Sequence, residues 1–352
     1  MVFFSNDFSE CYGCFSCIDA CPVKAIRIET HSDSFFYPSV DTNKCIQCNR
    51  CKNVCPNKLS EKAFSYPISS FAGIIKDKKD FTKSSSGGAF KAIVKACLNY
   101  YSEKYSNYYC VGVIFNESFN AIHDIVKINN YDDVDKFSKS KYVQSNPVGI
   151  YNKVKEIVDD ENNFLIFTGS PCQVAAIKTF LEKPYDNLFC IDLICHGAPS
   201  QQFFDSYIQK IQTQYNSKLI SYEFRTKEKL DNGTQYTRSA RYCFENGIEK
   251  RVSRLEDDYL ITFYNEDYVS RPSCVSCSFS RPERVSDITI GDAWRINYIY
   301  NDLVPTKGIS SIIFVTNRSL KLEKFIRTEM ITYELDYSFM IEHNKPLRRS
   351  NE

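Results

Sequence analysis

Cys11-Tyr12-Gly13-Cys14-Phe15-Ser16-Cys17-Ile18-Asp19-Ala20-Cys21-Pro22 is followed, 34 positions on, by Cys45-Ile46-Gln47-Cys48-Asn49-Arg50-Cys51-Lys52-Asn53-Val54-Cys55-Pro56. Both stretches read C-x2-C-x2-C-x3-C-P, so the chain opens with an internal duplication. Three thiolates spaced by two residues wrap one face of an iron–sulfur cube. A fourth, on a short helix behind them, reaches elsewhere, and the proline turns the chain where a helix would otherwise continue. Paired C-x2-C also builds zinc sites. Two complete four-cysteine runs with trailing prolines decide against zinc.

The spacing resembles the bacterial ferredoxin run, in which the fourth cysteine of each run ligates the other cluster. One 4Fe–4S cluster is therefore assigned to Cys11, Cys14, Cys17 and Cys55, and the second to Cys45, Cys48, Cys51 and Cys21. Extended stretches at Ala25–Ile28 and Phe35–Val40 supply a strand pair. Residues 1–60 read as a duplicated, ferredoxin-like cluster domain and residues 61–352 as an α/β core, an α+β chain overall. The apolar linker from Phe64 to Phe71 suggests a docked module, which deletion would leave separable from the rest.

The 352 residues carry a formal net charge of +1 with no basic stripe, which argues against nucleic acid as a partner. Met1 to Glu10 has no basic start and no long apolar run, unlike a secretory signal. No stretch reaches the roughly 18 apolar residues of a membrane helix. Sixteen cysteines without an export signal point to a reducing cytoplasm and to metal ligation over disulfides. The wealth of Phe and Tyr reads as core packing before flavin stacking.

Beyond the linker, a first strand ends near Ile75 and Lys76–Lys83 reads as a polar turn. Ser84-Ser85-Ser86-Gly87-Gly88 precedes an amphipathic helix from Ala89 to about Tyr101, with Phe90, Ile93, Val94 and Cys97 on one face. Serines in this position cap helices, glycines admit a close ligand, and helix-start amides attract anions. The loop is equally readable as a capped helix and nothing more. Buried strands follow at Tyr109–Phe115, Phe164–Phe167 and Leu188–Ile194, with helices at Tyr151–Val158 and Val174–Leu181. The pattern predicts parallel strands whose loops gather at their carboxyl ends. It turns hairpin-like over Ile220–Arg225 and Thr237–Phe244. A helix near Asp257–Tyr264 and a final strand pair and helix over residues 288–330 close the pattern.

Cys172, Cys195, Cys274 and Cys277 lie in loop contexts outside the duplication. Cys172 opens a helix, where the dipole favours thiolate. A third iron–sulfur cluster, a redox-active thiol pair and a zinc site are the three readings of this set, the first favoured by the clusters already in the chain. Cys97, Cys110, Cys190 and Cys243 fall inside helix or strand patterns and read as packing residues. His31, His123 and His343 read as solvated. His196, beside Cys195, reads as a proton donor near a cofactor or as a loop-bracing residue.

Six ordered stretches then resemble the coenzyme F420 hydrogenase/dehydrogenase beta-subunit family over residues 65–330. They are Ser85-Ser86-Gly87-Gly88, Ser140 to Ser145, Thr168 to Gln173, Ile194 to Ser200, Arg271 to Cys277 and Ser286 to Trp294. A fused ferredoxin domain is common in bacterial members. The resemblance implies a cytoplasmic iron–sulfur flavoprotein oxidoreductase in which FAD exchanges hydride on one side and single electrons on the other. Its flavin site would be lined by Ser85, Ser86, Gly87, Gly88, Lys141, Tyr142, Gln144 and Ser145. Its core cluster would be held by Cys172, Cys195, Cys274 and Cys277. Implied partners are ferredoxin or another redox protein, with a deazaflavin or nicotinamide as hydride donor. Bacterial relatives resemble genes of surface-polysaccharide loci. The alternative is an electron-transfer subunit that docks on a separate catalytic protein. One departure stands out: where the family carries glycine after the tryptophan, this chain has Arg295, whose bulk would bear on substrate specificity.

Overall fold

The computed structural model describes residues 8–227, 239–266, 269–304 and 307–348. The N-terminal segment pairs β1 (Ile26–Thr30) with β2 (Phe36–Val40) antiparallel. The duplication is written into its backbone. Gly13 and Phe15 take positive φ of 63° and 55°, and Gln47 and Asn49, 34 positions later, take 56° and 59°. Each run thus makes the same left-handed turns before its short helix, Ser16–Asp19 or Arg50–Asn53.

The core follows with β3 (Ser69–Ile75), β4 (Asn107–Phe115), β5 (Ala121–Lys127), β6 (Asn163–Gly169), β7 (Leu188–Leu193), β8 (Leu219–Thr226), β9 (Ser239–Phe244), β10 (Glu249–Ser253), β11 (Ile288–Asp292), β12 (Ser310–Phe314) and β13 (Met330–Glu334). One eight-stranded sheet runs β13-β3-β12-β11-β7-β6-β4-β5. Its centre, β11-β7-β6-β4, is parallel as the strand–loop–helix pattern predicts. Its flanks are antiparallel, so the sheet is mixed. A separate antiparallel sheet, β10-β9-β8, covers one end. Thr237, where the sequence begins its second hairpin strand, lies outside the described residues.

Side chains alternate across β6: Phe164 and Ile166 pack with the Ala89–Tyr100 helix, while Leu165 and Phe167 pack with helices Ile150–Val158 and Pro171–Leu181. Both faces are covered, which explains the unbroken apolar run of this strand. Cys14, Ala20 and Val54 of the N-terminal segment belong to the second of these clusters. The module is therefore part of the main core, not merely docked on it. Asp19 makes the same point. Its carboxylate accepts from the Gly149 amide at 2.7 Å and the Tyr151 amide at 3.1 Å, so the cluster segment caps a helix of the core.

Three local expectations change. Lys76–Lys83 contains a helix, Lys78–Lys83, capped by the Asp77 carboxylate on the Asp80 amide. Past residue 330 the chain adds β13 and a helix, Tyr337–His343. His123 is not solvated but buried in β5, where neither ring nitrogen finds a partner among the described residues and burial pushes its pKa down to about 4. His31 and His343 pack edge-on against Phe8 and Phe339.

Candidate metal and cofactor centre

Burial pushes the Cys14 thiol up to about 12, with the Cys11 and Cys55 thiols adding to it. Cys17 is raised further, by burial and then by Cys14, Cys11 and Cys55. Cys51 is raised by burial and by Cys21, Cys48 and Cys45. Cys11, Cys14, Cys17 and Cys55 thus lie near one another, as do Cys51, Cys21, Cys48 and Cys45, with Cys51 also acting on Cys17 and Cys55. Four crowded thiols resist ionising together unless a bound cation offsets the charge. Cys14 faces the core and Cys48 is exposed, so the groups form an inner and an outer centre.

Side chains from the core grip the inner centre. Arg271, 1% exposed, donates from Nε to the Cys11 carbonyl at 2.5 Å and from Nη1 to Gln144 Oε1 at 2.8 Å. Ser273 Oγ donates to the same carbonyl at 3.1 Å, and Gln144 Nε2 to the Tyr12 carbonyl at 3.1 Å. Gly13 lets this happen. A Cβ there would sit 2.1 Å from Gln144 Nε2 and 2.7 Å from Arg271 Nη1 at a φ of +63°. We expect Gly13→Ala to destabilise the protein by about 2 kcal/mol or more, from backbone strain plus displaced hydrogen bonds. An unchanged urea midpoint would refute that.

The second cysteine set lies at the carboxyl edge of the parallel strands. Cys172 follows β6 as the second residue of the Pro171–Leu181 helix, Cys195 follows β7, and Cys274 and Cys277 occupy the Pro272–Val275 helix and the loop after it. They converge. Cys172 is pushed well above the ordinary thiol range by burial, then by Cys277, Cys195 and Cys274. Cys274 rises to about 12 and Cys277 to about 11, both chiefly by burial. Below the set, Arg284 and Asp192, both buried, pair at 3.0 Å.

Two tyrosines stand between the inner centre and this set. The Tyr12 hydroxyl donates to Ser278 Oγ at 3.0 Å, and its ring packs on Phe279. Burial raises its phenol to about 12, and the thiols of Cys277 and Cys172 act on it. Tyr151 donates to the Cys14 carbonyl at 2.7 Å and feels both Cys14 and Cys172.

The expected flavin stretches come together only in part. Ser85 Oγ accepts from the Ser140 amide at 2.7 Å, which joins the two. The serines do not cap the helix; Gly88 stands at its N-cap in a left-handed turn. Ser86 Oγ donates to the Ile309 carbonyl, and the Gly87 amide donates to Ser310 Oγ at 2.9 Å. A Cβ on Gly87 would meet the Gly73 carbonyl at 2.1 Å. These glycines allow backbone to approach backbone, so the Gly87 amide is not offered to an anion. Gln144 turns to the cysteine loop, and Ser145 Oγ accepts from Gln173 Nε2 at 3.0 Å.

Tyr142 lines a cleft of about 10 Å³ with Phe224, Arg225, Arg254, Tyr264 and Trp294. Beside it lie two lysines without a carboxylate in salt-bridge range among the described residues. Lys141 donates to the Ser138 carbonyl at 2.8 Å, and burial with Lys139 nearby pushes its pKa down to about 8. Lys227 donates to the Phe81 carbonyl and, at 2.5 Å, to the Ser86 carbonyl. Burial, then Arg225, lowers it to about 7. Arg225 pairs with Asp292 at 2.8 Å, yet its Nε, and the nearby Ser138 Oγ, have no partner among the described residues. Under-compensated cations and orphaned donors fit an anionic group. The cleft has room for about one water, far below the roughly 300–1,000 Å³ of small-molecule sites, and would have to open widely for a tricyclic ring.

Arg225, Lys227 and Arg254 escaped the sequence reading. Arg225 lies near the end of β8 and Lys227 just beyond it, two positions apart, a spacing that by itself carries no signal. Arg295 takes φ +60°, which explains a glycine at this position. Its exposed side chain stacks over Tyr298 at 5.4 Å, so its bulk does not enter the cleft.

Paired cysteine runs on a ferredoxin-like hairpin, joined to an α/β core with its own cysteine set, define an iron–sulfur electron-transfer protein. The C-terminal part of the chain is similar to the coenzyme F420 hydrogenase/dehydrogenase beta-subunit family. Residues 163–334 match the model for the C terminus of the coenzyme F420 hydrogenase/dehydrogenase beta subunit, and residues 10–59 match the 4Fe–4S dicluster domain. No curated protein matches the chain significantly. A chain of the F420-reducing NiFe hydrogenase complex from Methanosarcina barkeri, solved as a xenon derivative, is 14% identical. That match covers 83% of this chain and 93% of the other at a TM-score of 0.53, which is a likeness of fold. No helix among the described residues is long and apolar enough to cross a membrane.

Proposed function

We propose that this chain is an iron–sulfur flavoprotein oxidoreductase. Two ferredoxin clusters would sit on Cys11, Cys14, Cys17 and Cys55 and on Cys45, Cys48, Cys51 and Cys21. A third 4Fe–4S cluster would be held by Cys172, Cys195, Cys274 and Cys277, and FAD by the residues around Tyr142. The observation that supports this reading is that Tyr12 and Tyr151 reach from the inner cysteine loop towards the core cysteines: Tyr12 bonds to Ser278, next to Cys277, and Tyr151 holds the Cys14 carbonyl while feeling Cys172. FAD supplies, when bound, the exchange between single electrons and a hydride.

The chain's own residues would do the rest. Cys48 and its neighbours meet an external redox protein at the surface. Ser85 and Ser86, with Lys141, Lys227 and Arg225, would hold the dinucleotide phosphates. Tyr142, Tyr264 and Trp294 would bracket the ring. His196, whose ring lies 5.9 Å from Tyr264, would stand near the acceptor. That acceptor would be a deazaflavin, or an organic substrate in surface-polysaccharide synthesis.

Anaerobic reconstitution tests the reading. The protein should take up about twelve irons, four per cluster, together with FAD. Cys274→Ser should lower the count by about four and Cys97→Ser should leave it unchanged. A count near eight would remove the core cluster while sparing the ferredoxin pair. Absence of flavin after incubation with FAD would sink the flavoprotein reading. The small cleft favours one second reading: an electron-transfer subunit that docks on a separate catalytic protein, as the hydrogenase neighbour is part of a complex. A loaded protein that reduces neither deazaflavin nor nicotinamide alone would select it.

A further inference from the structure

Arg271 is the largest fully buried side chain among the described residues, and it has no carboxylate within salt-bridge range there. Its partners are the Cys11 and Phe36 carbonyls, Gln144 Oε1 and, from Nη2 at 3.7 Å, the Cys11 sulfur itself. The faces of Tyr37 at 4.1 Å and Phe35 at 5.4 Å close over the guanidinium. A guanidinium stays protonated, and an isolated charge taken out of water costs several kcal/mol unless a countercharge repays it. The other deeply buried arginine, Arg284, has such a countercharge in Asp192. Arg271 instead points a charged donor at a cluster thiolate.

We propose that the inner ferredoxin cluster is the counter-ion of Arg271, and that Arg271 sets its reduction potential above that of the outer cluster. A 4Fe–4S centre with four thiolates is anionic and gains one negative charge on reduction. Burial alone makes that gain harder, so an inner cluster without help would be the more difficult one to reduce. Cys14 is buried and Cys48 exposed, so burial would stop an electron at the outer cluster. A fixed positive charge with a hydrogen bond to sulfur stabilises the reduced state and reverses that order. One electron, given to the outer cluster by an external redox protein, then passes to the inner cluster. The outer is reoxidised, the inner is reduced, and no proton moves. The proposal draws on the ferredoxin clusters alone and stands whether or not the core cysteines carry a third.

The test is a redox titration of the reconstituted full chain followed by electron paramagnetic resonance, comparing the native protein with Arg271→Gln and Arg271→Lys. At the native midpoint, Arg271→Gln should cut the reduced-to-oxidised ratio of one cluster's couple about tenfold, equivalent to about 59 mV for one electron. Arg271→Lys, which keeps charge but reaches less far, should shift the same couple down by less. The other ferredoxin couple should stay put. Native potentials in both variants at full iron content would overturn the proposal, as would an equal shift of both couples. If Arg271→Gln fails to load its cluster, Arg271→Lys decides alone: a lowered couple supports the proposal and an unmoved one defeats it.

Discussion

A chain that begins at residue 61 is expected to lose its folded state. The apolar linker invites the opposite expectation, that the cluster module lifts off and leaves an intact core. The contacts argue otherwise. Removing residues 1–60 strips Cys14, Ala20 and Val54 from the cluster that contains Leu165, Phe167, Val174 and Ile177. It also leaves buried polar groups without partners. Arg271 loses both Cys11 contacts and the Phe36 carbonyl, the Tyr151 hydroxyl loses the Cys14 carbonyl, and the Gly149 and Tyr151 amides lose Asp19. Each stranded group costs about 1–3 kcal/mol where water cannot replace the partner. Four or five of them approach the roughly 5–15 kcal/mol that holds a typical domain folded. Sedimentation and thermal melting of the truncated chain would settle it. A monomer melting within a few degrees of the full protein would show that the module is separable after all.

The same contacts explain what could be read from the sequence. Cysteine spacing is a direct signal of ligation, so the duplicated dicluster segment was legible in the sequence. The central strands were legible for a different reason: β6 and β7 are covered on both faces, and only apolar residues survive there. The antiparallel flanks were less so, because a short strand such as Met330–Glu334, half exposed along its length, has a weak pattern. The serine–glycine loop stayed ambiguous in the sequence because glycine serves ligand approach and backbone packing equally well, and only the fold shows the Gly73 carbonyl beneath Gly87. Arg271 and Trp294 lay inside recognised motifs, yet a motif does not say which way a side chain turns. Lys227 carried no local signal, since its significance comes from Phe81 and Ser86, some 140 positions earlier.

Replacing Lys141 and Lys227 together with methionine is expected to weaken FAD or inorganic pyrophosphate binding by about a hundredfold or more, the loss of two charge-assisted hydrogen bonds at about 1.5–3 kcal/mol each. The pH dependence has a definite sign. Both pKa values lie below the ordinary lysine value of 10.5, at about 8 for Lys141 and about 7 for Lys227. Between about pH 7 and 10.5 the unfolded chain therefore binds more protons than the folded one, and this pair's contribution to stability rises with pH. An anion placed between the ammonium groups favours their charged forms and draws both values upward. Binding at pH 8 should then take up protons from the buffer, and affinity should fall as the pH is raised from 7 to 9. Calorimetry at pH 8 in two buffers of different ionisation enthalpy reads the uptake. Heats that do not depend on the buffer, with an affinity flat across that range, would mean that the two lysines do not hold the phosphates.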